Sequence, residues 1–183
     1  VAVIYQEFNL IPSLSARENI FLGQERAVAG FIPHRQERDA ATELFRRLGV
    51  SIDPDSPCGE LTVAQQQIVE ISKALSLEAR IIVMDEPTAT LTGGEVRRLF
   101  SIIRELQTHG IGIVYVSHRL QEIAEIADRV TVLRDGFQVA VCEPSKVSRE
   151  ELIEMMVGRK LESEFPEREV EIGVRCLEVE KLS

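Results

Sequence analysis

Apolar and polar residues follow one another along this chain in two rhythms, one typical of strands and one typical of helices. Short apolar runs predict strands at 1–5, 81–84, 111–117, 130–133 and 138–141. Apolar residues three and four positions apart predict helices at 38–48, 63–75, 94–106 and 119–127. The runs at 81–84 and 111–117 hold no charged residue, so we expect both to be buried strands. Alternating strands and helices are typical of an α/β fold in which helices cover a parallel sheet.

Local signals mark the ends of two further helices. Ser15 and Glu18 form the S-x-x-E pattern of a capping box, which predicts a helix that begins there. Ser148 and Glu151 repeat this pattern ahead of a helix that we expect to end at Gly158. The turn at 134–136 predicts a hairpin between the last two strands.

The same patterns divide the chain into four parts. Residues 11–66 are helical and lack the strand–helix alternation, so we expect a helical subdomain inserted into the α/β core. The expected parts are a core strand with its turn at 1–10, the subdomain at 11–66, the remaining core at 67–160, and a linker with the first strand of a following domain at 161–183. Because a strand begins at the first residue and another near the last, we expect an internal fragment of a longer protein.

Composition narrows the class of protein. The chain has 183 residues, of which 44% are hydrophobic, which suits about one globular domain. Its net charge of −9 argues against a large nucleic-acid surface. Cys58, Cys142 and Cys176 lie far apart without C-x-x-C spacing, so we expect three reduced thiols. No apolar run approaches the length that crosses a bilayer.

The candidate chemistry begins with Asp85 and Glu86, which directly follow a predicted buried strand. Ligands of open α/β sheets gather at the carboxyl ends of the strands. In phosphoryl-transfer sites an acid at this place holds magnesium, and a second acid can orient or deprotonate the attacking water. An ordinary acidic turn after a strand would give the same dipeptide, so the pair alone does not decide the function.

Three other features have the order and spacing of a nucleotide site. The segment "LTVAQQQ" (61–67) opens a predicted helix, whose free N–H groups and dipole attract an anion, although Thr62 also suits a plain helix cap. His118 follows the next predicted buried strand, where its imidazole can bind a phosphate or a water. Gln6 lies in the turn after the first strand.

Together these motifs resemble the nucleotide-binding domain of an ABC transporter ATPase over residues 1 to about 160. Gln6 in "YQEFNL" is similar to the Q-loop, and "LTVAQ" (61–65) to the LSGGQ signature. "IIVMDEP" resembles Walker B with its catalytic glutamate, and His118 resembles the H-loop histidine. The segments "QQQIVEISKALS", "GIGIVYVSHRLQEI", "DRVTVLRDG" and "LIEMMVGRKL" resemble the first half of the tandem ATPases that energise bacterial importers of ribose, galactose and xylose.

The resemblance implies a partial P-loop NTPase core with an inserted helical subdomain, and it implies a role for each site residue toward ATP and Mg²⁺. Asp85 would hold Mg²⁺, with Gln6 sensing metal and water. Glu86 would polarise the attacking water, and His118 would contact the γ-phosphate. The signature residues would bind the ATP of the opposite domain: Thr62, Val63, Ala64 and Gln65.

The resemblance also implies partners and a location. These are a second ATP-binding domain, a membrane permease on which residues 11–66 would dock, and indirectly a periplasmic sugar-binding protein. No nucleic acid is implied. The protein would lie on the cytoplasmic face of the cell membrane.

Three departures from the family pattern leave alternatives open. None of the eleven glycines is followed by lysine, so the phosphate-binding loop G-x-x-x-x-G-K-[ST] is absent from this chain. We therefore expect this chain to bind ATP weakly or not at all. Val63 and Ala64 replace the two glycines of the signature, and Thr92 stands where many relatives have the D-loop aspartate. These changes favour a non-catalytic regulatory half as the alternative. The acidic charge and "MMVGRKL" disfavour an ABC-type ATPase that acts on DNA or ribosomes.

Overall fold

A computed structural model describes residues 1–24 and 34–159 of the chain. The chain divides after Asp128 into two compact units, 1–128 and 129–183. None of the helices in the described ranges is long and apolar enough to cross a membrane.

The described residues of the first unit form a parallel sheet of three strands. These are β1 (Ala2–Ile4), β2 (Ile81–Asp85) and β3 (Gly112–Val116), in the order β1-β2-β3. Ile4 pairs with Met84, and Met84 pairs with Tyr115, so the carboxyl ends of the three strands lie at one edge of the sheet. The predicted α/β fold with a parallel sheet is confirmed.

In the described part of the first unit, residues 1–24 and 34–128, the helices are α1 (Ala16–Phe21), α2 (His34–Arg47), α3 (Val63–Ser76), α4 (Gly93–Thr108) and α5 (Leu120–Ile126). A short 3₁₀ turn spans Cys58–Glu60. The capping box of Ser15 and Glu18 is confirmed, with the Ser15 N–H donating to Glu18 Oε2 at 2.8 Å. Helix α2 begins four residues before the predicted position 38 because its first turn is polar and lacks the apolar spacing that marked the rest.

The two faces of the sheet differ in exposure. Ile4, Ile82 and Met84 point into the hydrophobic core and are at most 2% exposed. Val114 and Val116 are exposed. The prediction that this third strand is buried is therefore wrong for the described residues, because alternate residues of a strand face opposite sides and helices of the described ranges cover only one side.

The described residues of the second unit, 129–159, form an antiparallel hairpin and one α-helix. Strands β4 (Val130–Arg134) and β5 (Phe137–Cys142) are joined by a turn in which Asp135 and Gly136 have φ of +52° and +80°. This is the left-handed pair that a tight hairpin turn requires. Helix α6 (Arg149–Val157) starts at the capping box of Ser148 and Glu151 and ends at Gly158. The predicted hairpin and helix are confirmed.

Several predictions lie outside the described residues or remain untested. Cys58 and Cys142 are free thiols, whereas Cys176 lies outside the described residues. The predicted linker and strand at 161–183 also lie outside them. The limits of the predicted helical subdomain and core, 1–10, 11–66 and 67–160, stay predictions.

Candidate active site at the strand ends

The polar residues predicted to carry the chemistry follow the carboxyl ends of adjacent parallel strands. Asp85 is the last residue of β2 and pairs with Val116, the last residue of β3. Gln6 comes two residues after the end of β1, and His118 two residues after the end of β3. Parallel pairing therefore brings all of these positions to one edge of the sheet, where ligands of α/β proteins bind.

Glu86 and His118 are in direct contact. The His118 Nδ1 and Glu86 Oε1 atoms are 2.8 Å apart. A carboxylate oxygen accepts hydrogen bonds, so in this contact Nδ1–H is assigned as the donor and Glu86 Oε1 as the acceptor. This leaves Nε2 of the imidazole available to a second partner. The His118 side chain is 67% exposed and that of Glu86 30%, so a ligand can reach both.

The backbone of Glu86 adopts a left-handed conformation with φ of +45°. For a residue with a Cβ atom this costs about 1–2 kcal/mol and persists only where neighbouring groups hold it. The Glu86 N–H donates to the carbonyl of Val116 at 3.0 Å, and the Glu86 carbonyl accepts from the N–H of Ala89 at 3.2 Å. The first bond ties Glu86 to the end of the neighbouring strand, immediately before Ser117 and His118.

Asp85 and Gln6 retain free polar side chains. Asp85 is half-buried and Gln6 is exposed, and neither side chain makes a hydrogen bond or ion pair within the described residues. Those residues also contain no cluster of three or more His, Cys, Asp or Glu that could hold a metal ion. Mg²⁺ is usually bound through one or two carboxylates together with waters and substrate phosphates. The lone carboxylate of Asp85 and the amide oxygen of Gln6 fit that mode of binding.

The predicted signature segment forms the start of α3. Thr62 is its N-cap: Thr62 Oγ1 accepts from the Gln65 N–H at 3.3 Å, and Gln65 Oε1 accepts from the Thr62 N–H at 2.9 Å. Of the four N–H groups that a helix start leaves without intrahelical partners, those of Val63 and Ala64 remain. The side chain of Val63 is exposed and that of Ala64 half-buried.

Thr92 has a local structural role that sequence reasoning missed. It is the N-cap residue of α4, and its N–H and hydroxyl donate to Glu95 Oε2 at 2.8 and 2.7 Å. These hydrogen bonds hold the pKa of the Glu95 carboxyl below its usual value, and the bond from the backbone N–H has the larger effect. The pattern T-x-x-E at 92–95 could have predicted the cap.

Two buried carboxylates near the site were also missed. Glu122 on α5 accepts hydrogen bonds from Thr88, two residues after Glu86, and from Ser117, the residue before His118. It lies four residues after His118 on a predicted helix. Glu70 on α3 accepts from the N–H of Asn9, three residues after Gln6, at 2.8 Å. Burial raises the pKa of the Glu70 carboxyl. Its position, one residue after Val69 on the helix, gave no signal of a buried acid.

Comparison with known proteins agrees with these motifs. The family model described as ABC transporter matches residues 1–89. The ribose import ATP-binding proteins RbsA 3 of Rubrobacter xylanophilus and RbsA of Hahella chejuensis are each 50% identical to the chain over 183 and 189 residues. These alignments cover 100% and 99% of this chain but only 37% and 38% of the relatives. The chain therefore spans a little over a third of the curated relatives that it matches.

Solved structures share the fold. A structure of cbiO1 from Clostridium perfringens, part of the ABC transporter complex cbiONQ, has a TM-score of 0.68 and 25% identity, covering 86% of this chain and 62% of that one. A nucleotide-free ATP-binding cassette from an ABC transporter has a TM-score of 0.66 at 25% identity, covering 86% and 64%. The chain thus has the α/β fold of an ABC ATPase cassette, in part.

Proposed function

Since this chain belongs to the ABC transporter ATP-binding proteins, we propose that its strand ends form the metal-and-water half of an ATP-hydrolysing site in a sugar importer. One observation carries the proposal. The predicted catalytic acid and the predicted phosphate-binding imidazole, Glu86 and His118, are in contact at 2.8 Å beside the carboxyl ends of two adjacent parallel strands.

In this proposal the pair divides the work of hydrolysis. A water oxygen attacks the γ-phosphorus of ATP, the bond from that phosphorus to the bridging oxygen breaks, and ADP leaves. Glu86 orients this water and takes its proton. His118 holds the Glu86 carboxylate through Nδ1–H, and in its doubly protonated form it would also donate Nε2–H to the γ-phosphate. The N–H of Glu86 donates to the carbonyl of Val116 at the end of β3, and this hydrogen bond helps to keep Glu86 close to His118.

Asp85 and Gln6 are the residues that would hold Mg²⁺. The carboxylate of Asp85 would bind the metal directly or through water, and the amide of Gln6 would contact the metal and the attacking water. Bound magnesium neutralises charge on the phosphates. The support for these roles is that neither side chain has a protein partner within the described residues, and that Asp85 ends β2 while Gln6 lies two residues beyond the end of the adjacent strand β1.

The start of α3 serves a second ATP site in this proposal. The N–H groups of Val63 and Ala64 and the positive end of the α3 dipole face the phosphates of the ATP held by the partner domain. Thr62 and Gln65 fix this helix start through their capping box. Thr92 lies at the D-loop position and holds the start of α4. The site is completed when two such domains close on each other.

The importer assignment rests on the curated relatives, which are ribose import proteins. We propose that the full-length protein works on the cytoplasmic face of the membrane with a permease and receives ribose, galactose or xylose from a periplasmic sugar-binding protein. The test is uptake of each labelled sugar into proteoliposomes that contain the complete complex. We expect ATP-dependent uptake of one of them, lost in Glu86→Gln. Steady ATP hydrolysis with no uptake of any of the three would contradict the sugar assignment.

A regulatory, non-catalytic half is the second candidate, and the side chains at the start of α3 favour it. Val63 and Ala64 add Cβ atoms where glycines let a phosphate approach closely. If this half only regulates, the double change Val63→Gly and Ala64→Gly raises ATP turnover of the full-length protein several-fold. If it supports hydrolysis as it stands, the double variant turns over ATP at the wild-type rate.

A further inference from the structure

Glu122 on α5 is only 7% exposed, yet its carboxylate has four hydrogen-bond donors. Oε1 accepts from the Thr88 hydroxyl at 2.7 Å and from the Arg119 guanidinium at 3.3 Å. Oε2 accepts from the Tyr115 hydroxyl at 2.8 Å and from the Ser117 hydroxyl at 3.1 Å. Burial raises the pKa of this carboxyl, but the hydrogen bonds and the charge of Arg119 lower it by more, so the group is ionised.

These donors come from both loops of the proposed site. Ser117 and Arg119 are the two neighbours of His118 in the chain, and the Ser117 hydroxyl also accepts from the Arg119 N–H at 3.0 Å. Thr88 lies two residues after Glu86, in the loop that follows β2. A single buried carboxylate therefore binds the loop that carries the acid and the loop that carries the histidine.

The conformation of the β2 loop depends on such support. Glu86 is left-handed, with φ of +45°, a region that residues with a Cβ atom rarely occupy. Strained residues of this kind persist where the surrounding structure over-determines them. The bond from Thr88 to Glu122 fixes the loop just after Glu86, and the Arg119 guanidinium adds a second link by donating to the Ala89 carbonyl at 3.4 Å.

We propose that Glu122 is a positioning residue. It fixes the loops of Glu86 and His118 relative to each other, so that the carboxylate and the imidazole come into hydrogen-bond contact. The inference rests on the function proposed above for these two residues. Glu122 itself touches neither of them. It acts through Thr88 on one side and through Ser117 and Arg119 on the other.

The test compares Glu122→Gln and Thr88→Val with Glu125→Gln in the full-length protein. The amide of Glu122→Gln has the size of the carboxylate but only one accepting oxygen, so some donors lose their partner. Thr88→Val removes one donor and leaves Glu122 with three others. Glu125→Gln makes the same chemical change on the exposed side of α5 and is the matched control. The readouts are hydrogen–deuterium exchange of segments 86–91 and 117–121 without nucleotide, and kcat and KM for ATP.

We expect Glu122→Gln to speed exchange in both segments and Thr88→Val mainly in 86–91, with Glu125→Gln unchanged. A small misplacement of reacting groups lowers rates strongly, so kcat should fall about ten- to a hundredfold in Glu122→Gln while KM changes by less than about threefold. Unchanged exchange of both segments in Glu122→Gln would overturn the proposal. A fall in kcat that is fully explained by the fraction of unfolded Glu122→Gln protein would overturn it as well. If the wild-type protein does not hydrolyse ATP, the proposed function fails, and the exchange data still decide the role of Glu122.

Discussion

Glu70 is a buried acid whose charge works against folding. It is 6% exposed and has one backbone partner, the N–H of Asn9 at 2.8 Å. Burial raises the pKa of its carboxyl more than the Asn9 hydrogen bond and the charge of Lys73 lower it. The folded chain therefore holds a proton at Glu70 that the unfolded chain releases, at pH values between the two pKa values.

This gives a pH dependence with a definite sign. The protonated form of Glu70 stabilises the fold relative to the ionised form. This stabilisation is fully present below the pKa of the unfolded chain, about 4.3, and it is lost as the pH rises through the higher pKa of the folded chain. Glu70→Gln keeps an acceptor for Asn9 and cannot ionise. We expect the free energy of unfolding of Glu70→Gln, relative to wild type, to increase from about pH 4 to about pH 7. Urea denaturation at both pH values measures it. Glu105→Gln, on the exposed side of α4, is the matched control. A difference for Glu70→Gln that changes with pH no more than that of the control would contradict the account.

At the scale of elements, Asn19 ties α1 to its surroundings. It is fully buried, and its Oδ1 accepts from the N–H of Ile11 at 2.7 Å. Its Nδ2 donates to the carbonyls of Ile11, Leu14 and Ser15 at 3.0 to 3.2 Å and contacts Cys58 Sγ at 3.2 Å. One amide thus adds hydrogen bonds to the segment before α1, whose carbonyls also accept from backbone N–H groups.

Asn19→Ala should therefore be strongly destabilising. It removes the acceptor of the Ile11 N–H and leaves the carbonyls of Ile11, Leu14 and Ser15 with their backbone donors only. It also empties a fully buried position, so we expect a loss of roughly 2–4 kcal/mol in the free energy of unfolding. Gln36→Ala, on the exposed side of α2, should change it by less than about 0.5 kcal/mol. Equal effects of the two changes in urea denaturation would show that Asn19 does not hold this region.

The elements that sequence predicted best have local causes. The caps at Ser15, Thr62 and Ser148 depend on residues three positions apart, so short patterns identify them. The partners of Asn19 and Glu122 cannot be identified in this way. Asn19 reaches Cys58, 39 residues away, and Glu122 reaches Thr88, 34 residues away, so only the packed fold brings them together.

The candidate site shows the same division. The order of Asp85, Glu86 and His118 along the chain predicted a shared edge of the sheet, and parallel pairing puts them there. The left-handed backbone of Glu86 was not predictable, because no glycine marks it and tertiary hydrogen bonds hold it. The exposure of β3 was missed because an uncharged apolar run has the same pattern whether one face of the sheet is covered or both.

At the scale of the whole molecule, the residues proposed to bind metal and water are not accompanied by the usual phosphate-binding motif in this sequence. Phosphate binding in this class of site relies on backbone N–H groups of a glycine-rich loop and its lysine, and this sequence has no Gly-Lys pair. We expect isothermal titration of this 183-residue chain with Mg-ATP at about millimolar concentration to give no saturable heat. A full-length curated relative is the positive control. A saturable isotherm for the chain alone would contradict this expectation.

The central claim is that the Glu86 carboxylate takes the proton of the attacking water while His118 holds that carboxylate in place. The most direct measurement is steady-state ATP hydrolysis and equilibrium ATP binding by the full-length protein carrying Glu86→Gln, with Glu105→Gln as the matched control. A general base contributes about 10²- to 10⁴-fold, so turnover should fall at least a hundredfold while the Kd for ATP stays within about threefold of wild type. Turnover at the wild-type rate in Glu86→Gln would contradict the account.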